Sequence, residues 1–268
     1  MFENKIKSMW SEGRPILNGW LSIGSPFTAE IMSIQGYDSL TVDLQHGALD
    51  YGAMLNMLLA LTNSGVTPMV RVPSLEPGIV MKAIDAGAQG IICPLVNTAE
   101  QASEFVSYLR YPPVGQRSYG PTRAAFAYGG YDFKANDQLL ALAMIETQQG
   151  VDNLEEIAAT PGLDGLYIGP SDLTIATQSA RLPPGFDRRE PEMLTLIHRI
   201  MEVGKRHGLM TCLHCGEAEY AAEAIRWGFD FTTVSGDSRL LSAAAAQSVR
   251  AWKDGVGSAE KSLANSGY

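Results

Sequence analysis

Short apolar runs alternate with amphipathic stretches along nearly the whole chain. ILNGWLSI (16–23) leads to FTAEIMSIQG, DSLTVDL (38–44) to YGAMLNMLLALTNSG, TPMVRVP (67–73) to PGIVMKAIDAG, and GIICPLV (90–96) to TAEQASEFVSYLR. After an irregular stretch from Tyr111 to Asp137, LLALAMIET (139–147) precedes VDNLEEIAAT, and LDGLYIGP (163–170) leads through a Pro-rich loop into PEMLTLIHRIMEVGKRHG. LMTCLHC (209–215) and DFTTVSG (230–236) each precede an Ala-rich helix. The pattern predicts eight strands and eight helices. The strands are continuous apolar runs, as burial of both faces in a parallel sheet requires. Eight such units in about 250 residues are the arithmetic of an α/β, (β/α)8 TIM barrel. A doubly wound open sheet is the rival, but it usually carries a Gly fingerprint after its first strand, where this chain has IGSPFTAE. Nothing marks a linker or a repeat, so a single domain over residues 1–268 is expected, with 111–137 as a long functional loop. The Ala-rich last helix, LLSAAAAQSVRAW, reads as a packing surface for a neighbouring subunit.

Composition narrows the function. A hydrophobic share of 46% suits a substantial core, and a net charge of -9 argues against a phosphate-backbone partner such as nucleic acid. No apolar run reaches a membrane span of about 18 residues; AMLNMLLAL (53–61) is interrupted by Asn56. The start, MFENKIKSMW, lacks an apolar secretory core, and an odd count of three cysteines fits free thiols in a reducing cytoplasm.

Barrel active sites lie at the C-terminal ends of the strands. Those ends carry Asp43, Gln45 and His46 in VDLQHG, then Arg71, Glu146, and finally Gly169, Pro170, Ser171 and Asp172 in GPSDL. Glu146 and Asp172 end adjacent predicted strands, so their carboxylates can converge on a hard divalent cation, with water or substrate oxygens completing its shell. Two carboxylates alone are a weak metal motif, and each could equally cap its helix or pair with Arg71. His46 is of a residue type that exchanges protons near neutral pH, and Asp85 on the third helix could accept from its imidazole. Arg71 can clamp a carboxylate or stabilise an oxyanion, or form a rim salt bridge. The GPSDL amides can receive a small anion, which would suit a 2-oxo acid chelating a cation beside Asp172. TCLHC lacks the second ligand pair of a tetrahedral zinc site, and its cysteines read as barrel core, with His214 a second histidine at a strand's C-terminal rim.

Several linked blocks, in order, resemble one family. NGWLSIGSPFTAEI, VDLQHG, VRVP, AIDAGAQGIICPLVNTAEQA, YPPVGQRSYGP, MIETQQGVDNLEEI, LDGLYIGPSDL and SGDSRLL are similar to the class II pyruvate-dependent aldolases of the 4-hydroxy-2-oxoheptanedioate and 2-keto-3-deoxy sugar acid type, the HpcH/HpaI family. The resemblance implies a (β/α)8 barrel, a divalent cation (Mg²⁺, Mn²⁺ or Co²⁺) and reversible cleavage of a 4-hydroxy-2-oxo acid to pyruvate and an aldehyde. It implies His46 as base, made more basic by Asp85, and Arg71 stabilising the enolate oxygen. Glu146 and Asp172 become metal ligands, the Ser171 and Asp172 amides receive the pyruvate carboxylate, and Trp20 becomes an aromatic lining residue. It also implies a homohexamer built as a trimer of dimers. No predicted strand end carries a lysine for a Schiff base; Lys82 lies mid-helix.

One position departs from the family. Many members carry a glutamine two residues before the metal-binding glutamate, whereas this chain has Met144 in AMIE. A direct hydrogen bond to pyruvate is thereby lost, which leaves the substrate preference open. Two other functions compete: a citrate-lyase-like acyl-CoA lyase, for which a basic entrance would be favoured, and a non-catalytic 2-oxo acid binding barrel.

Overall fold

The computed structural model describes residues 3–178 and 181–265. The eight apolar runs form strands β1 (Ile16–Leu21), β2 (Ser39–Asp43), β3 (Thr67–Arg71), β4 (Gly90–Cys93), β5 (Leu140–Ile145), β6 (Gly165–Ile168), β7 (Met210–Cys215) and β8 (Phe231–Val234). They close in sequence order into one parallel barrel, with β8 returning to β1 through Ile16 beside Phe231 and Asn18 beside Thr233. The (β/α)8 expectation holds. Every residue of β2 through β7 is buried, so these strands need apolar groups on both faces and show no alternation. Residues 1–2, 179–180 and 266–268 of the expected domain lie outside the described residues.

Twelve α-helices are described: α1 (Lys5–Ser11), α2 (Pro26–Ser33), α3 (Tyr51–Ala60), α4 (Pro77–Asp85), α5 (Ala99–Leu109), α6 (Thr122–Tyr128), α7 (Gln148–Asp152), α8 (Leu154–Ala158), α9 (Pro170–Gln178), α10 (Pro191–Arg206), α11 (Ala218–Trp227) and α12 (Asp237–Asn265). Several start on signals visible in the sequence. Ser25, Asp50, Glu76, Thr98 and Thr147 each accept a backbone N–H of the first turn, satisfying donors that have no helical partner.

The additional helices have local causes. Ile6 and Met9 of α1 belong to the apolar cluster that fills the barrel, together with Ile16, Met69, Leu140, Met210 and Phe231, so α1 closes the barrel floor. The stretch 111–137, expected as one long loop, contains α6 and a 3-10 turn at Phe133–Asp137. TRAAFAY is short but Ala-rich, and Arg123 ties it down by donating to the carbonyls of Ala86 and Leu58. α9 begins where a loop was read, because Pro170 at its first position has the fixed φ and missing N–H that a helix start tolerates. A second cluster, between the sheet and the helices, forms the outer core, with Leu58, Ile84, Phe105, Ile157 and Ile200 among its members.

Candidate active site

Strand register assembles the site at the carboxyl rim. Asp43 and Arg71 are paired positions of β2 and β3, and Glu146 and Gly169 follow the paired Ile145 and Ile168 of β5 and β6. Together with Trp20 from β1 and the start of α9, they line a cavity of about 310 Å³. Among the residues singled out in the sequence, Trp20, His46, Arg71, Met144, Glu146, Gly169, Ser171 and Asp172 all face this space.

Asp43 organises one side. Its buried carboxylate accepts from Arg71 Nε at 2.8 Å and Arg71 Nη2 at 2.6 Å, from the Trp20 indole at 3.1 Å, and from the backbone N–H groups of Gln45 and His46 at 3.1 and 3.3 Å. Burial alone would raise its pKa, but the Arg71 hydrogen bonds and charge outweigh that, helped by Trp20 and His46, and hold the carboxyl below its ordinary value. Arg71 is thereby locked, with its guanidinium 4.8 Å from the Trp20 ring centre, and it lines the cavity with no hydrogen bond from Nη1 among the described residues. Gly47 closes the turn after His46. A Cβ there would lie 2.2 Å from the Asp43 carbonyl oxygen, so no larger residue fits without moving the loop.

Glu146 organises the other side. Its Oε1 accepts at 2.9 Å from the Leu95 amide, which is aimed by a left-handed backbone at Leu95 (φ 56°). A Cβ on Gly169 would fall 2.5 Å from Glu146 Oε2, so the glycine gives the carboxylate its room. Burial pushes the Glu146 carboxyl up to about 7; the Leu95 amide and Arg71 oppose the shift, while Asp172 adds to it. Two neighbouring carboxylates, one of them buried, create a demand for positive charge that Arg71 meets only in part, because it is paired with Asp43. The first helical bond of α9 runs from Leu173 N to Gly169 O, and the Ser171 and Asp172 amides, at the cavity edge, have no hydrogen-bond acceptor among the described residues.

The expected contact between Asp85 and His46 is not formed within one chain. Asp85 Oδ1 accepts from Arg117 at 2.6 Å, and the His46 imidazole is exposed, without a hydrogen-bond partner among the described residues. Arg117 is buried against Tyr111 and Tyr131, and this fixed cation claims the Asp85 carboxylate. Pro170 is buried at the first turn of α9 and does not line the cavity.

The family model described as HpcH/HpaI aldolase/citrate lyase matches residues 18–244, a span that includes all eight strand ends and the whole cavity rim. This chain belongs to that family. A hydroxypyruvate/pyruvate aldolase of Rhizorhabdus wittichii is 40% identical over 245 residues, covering 91% of this chain and 96% of that protein. A 5-keto-4-deoxy-D-glucarate aldolase of Klebsiella pneumoniae is 32% identical, covering 94% and 98%. The crystal structure of an HpcH/HpaI aldolase/citrate lyase family protein from Burkholderia cenocepacia superposes with a TM-score of 0.85 at 32% identity, covering 93% and 99%. As a member of the HpcH/HpaI family with aldolase relatives over its whole barrel, the chain is a carbon–carbon lyase of the aldolase type.

The HpcH/HpaI cavity of this chain also holds residues that strand-end reading missed. Asp43 was visible at the end of β2, but its role as the partner of Arg71 depends on register. Phe186 comes from the Pro-rich loop before α10, and Arg239 from the first turn of α12. His214, within TCLHC, is buried and reaches the cavity from the end of β7. Met144 is buried among the barrel-filling residues and lines the same space, so the family departure lies inside the site.

Proposed function

We propose that this chain catalyses reversible cleavage of a 4-hydroxy-2-oxo acid into pyruvate and an aldehyde, using a divalent cation held by Glu146 and Asp172. The carrying observation is the convergence on one cavity of a locked arginine, two carboxylates, two unpaired helix amides and an unpartnered histidine. The donor set fits a hard ion. Among the described residues no cluster of three or more His, Cys, Asp or Glu forms, so the chain offers two carboxylates and leaves the other positions to water and substrate oxygens, as Mg²⁺, Mn²⁺ or Co²⁺ in an oxygen shell accepts. When bound, the cation supplies positive charge that lowers the cost of placing negative charge on the keto oxygen.

The chain's own groups then divide the work. The Ser171 and Asp172 amides hold the substrate carboxylate at the positive end of α9. Arg71 Nη1 faces the keto oxygen, and its position costs nothing at the moment of reaction because Asp43 already fixes it. His46 takes the proton of the C4 hydroxyl. The C4–O bond becomes a carbonyl, the C3–C4 bond breaks, and its electron pair passes through C3 to the keto oxygen. Protonation at C3 then yields pyruvate. No lysine lines the cavity, which accords with chemistry that needs no Schiff base.

We further propose a homo-oligomer, with the expected trimer of dimers as its form, in which Asp85 of one chain approaches His46 of another. Leu241, Val249 and Trp252 of α12 are 64%, 52% and 69% exposed, and Phe126 of α6 is 90% exposed, surfaces a second copy would cover. No helix among the described residues is long and apolar enough to cross a membrane, and three free buried cysteines suit the cytoplasmic setting we propose.

Pyruvate release from 4-hydroxy-2-oxo acids, measured with and without chelator, tests the reading. Turnover that stops on chelation and returns with Mg²⁺ or Mn²⁺ supports it. Undiminished release after exhaustive chelation overturns the role of the cation, and binding of pyruvate without any turnover favours a non-catalytic barrel.

A further inference from the structure

His46 differs from the other proposed working groups in how it is held. Arg71 is fixed through its side chain by Asp43, and Glu146 through its side chain by the Leu95 amide, whereas the His46 imidazole meets no hydrogen-bond partner among the described residues of its own chain. Its place therefore rests on the backbone turn that carries it. A carboxylate brought by a second copy can orient the ring only where that turn has put it.

The turn is built from two sides. On one, the Asp43 carboxylate accepts the Gln45 and His46 amides at 3.1 and 3.3 Å, and the Asp43 carbonyl accepts the Gly47 amide at 3.2 Å. On the other, the turn lies backbone to backbone against the loop between β1 and α2. The Ala48 amide donates to the Ser22 carbonyl at 2.8 Å. A Cβ on Gly47 would come within 3.3 Å of Ser22 Cα, and one on Gly24, at φ 82°, would lie 2.9 Å from Leu49 Cβ and 3.0 Å from the Ala48 carbonyl oxygen. Two glycines thus let the loops close to a distance that side chains forbid.

The β1–α2 loop is pinned in turn by Asp237, the first residue of α12. This carboxylate is buried and accepts from the Ser22 amide at 2.9 Å, the Ser22 hydroxyl at 3.0 Å, the Ile23 amide at 3.2 Å and the Ser238 amide at 2.7 Å. Three of these four bonds go to the loop, so Asp237 serves the loop more than the helix it begins. Ser22 stands between: its N–H is held by Asp237, and its C=O holds Ala48. Two hydrogen bonds through one residue therefore join the start of α12 to the turn that carries His46. We infer that Asp237 is a positioning residue for His46, acting through Ser22 and Ala48. This rests on the aldolase reading above, with His46 as its base, and adds the group that places the base.

Asp237→Asn is the discriminating change. Oδ1 accepts from Ser22 and Ser238, and Oδ2 from Ile23. An amide offers one oxygen, so in either orientation its NH₂ meets a backbone N–H and two donors face each other. The loop is released, and misplacing a reacting group by about 1 Å costs on the order of 100-fold in rate.

Hydrogen exchange on the full chain, read by mass spectrometry, measures the turn directly. Asp237→Asn is expected to speed exchange in segment 44–50 and to leave segments 90–98 and 140–150, which carry the Glu146 side, at the wild-type rate. Kinetics then close a double-mutant cycle with His46→Ala. Asp237→Asn should lower kcat for cleavage by roughly 10- to 100-fold, with Mn²⁺ affinity by calorimetry unchanged. In the His46→Ala background it should cost less than about twofold, because no base is left to misplace. An aspartate with a merely structural role would cost the same factor in both backgrounds. Gly24→Ala drives the two loops apart with Asp237 intact; it should reproduce the His46-dependent loss, and it carries the test if Asp237→Asn fails to fold. Equal losses in the two backgrounds, or exchange in 44–50 that stays at the wild-type rate, overturn the inference and leave the aldolase reading standing. A wild type without turnover removes the aldolase reading, and the exchange rates alone then decide whether Asp237 holds the turn.

Discussion

Asp43 and Arg71 stand side by side at the ends of neighbouring strands and meet through two hydrogen bonds, Nε to Oδ1 at 2.8 Å and Nη2 to Oδ2 at 2.6 Å. Both side chains are buried, so removing one charge leaves the other unpaired in a poorly solvated place. Asp43→Asn keeps the shape but deletes the charge. We expect it to cost about 3 kcal/mol of folding stability in urea titration and to lower kcat far more than it changes cation affinity, because Arg71 loses its fixed direction. Unchanged turnover in a destabilised protein would reduce the pair to a structural brace.

That pair also shows where sequence reading reaches its limit. The barrel was legible because burial on both strand faces writes unbroken apolar runs, and the rim was legible because polar residues then stand out at the strand ends. VDLQHG therefore pointed to Asp43 and His46 at once. Which of them Arg71 takes was not legible, since it depends on Asp43 and Arg71 sharing a register position. Arg239 and Phe186 lie beyond strand ends, and the loop geometry that turns them toward the cavity leaves no periodic trace. α6 and α9 escaped for a related reason, being short helices stabilised by tertiary ties and a well-placed proline.

Glu146 gives the site a pH signature. Its folded pKa, about 7, lies above the ordinary 4.5, so the folded state holds the proton more tightly than the unfolded chain. The contribution to stability is present below about 4.5 and is lost as pH rises through about 7. Its size is at most on the order of 3 kcal/mol. Chelator-treated protein should therefore lose thermal stability across this window, and Glu146→Gln should flatten that slope. Cation binding must expel the same proton, so Mn²⁺ affinity should rise with pH up to about 7, and calorimetry in buffers of different ionisation enthalpy should register proton release. Glu146→Gln that still binds Mn²⁺ at wild-type affinity would remove Glu146 from the ligand set.

His46 and Asp85 test the assembly. His46→Ala should slow cleavage by about 10²- to 10⁴-fold with cation affinity nearly intact, since the imidazole is proposed as base and not as ligand. Asp85→Asn should slow the same step more mildly. Asp85 is held by Arg117 in its own chain, and we propose that its contact with His46 crosses a subunit boundary. Co-expressing the two variants then rebuilds some complete sites, and mixed oligomers should be more active than the average of the two pure variants. Activity equal to that average would show that the residues do not meet between chains.

Met144 decides how pyruvate is gripped. Its side chain is buried in the barrel-filling cluster and lines the cavity beside Gly169, where a Cβ would lie 3.1 Å from Met144 Cε. A thioether there offers a polarisable wall and no strong donor, so pyruvate must be held by the cation, by Arg71 Nη1 and by the α9 amides. Met144→Gln adds an amide of similar length at the same wall. The gain is one hydrogen bond to a charged or polarised oxygen, offset by desolvation of the amide when no ligand is present. We therefore expect pyruvate to bind a few-fold more tightly, with Mn²⁺ affinity unchanged, because Met144 touches neither proposed ligand through a polar atom. The added amide also narrows the space beside C3, so 2-oxobutanoate should lose ground to pyruvate as nucleophile. Apparent pyruvate affinity and the ratio of the two condensation rates, measured for both proteins, check this together. Identical values in both measurements would mean that the nucleophile is seated against a different part of the wall.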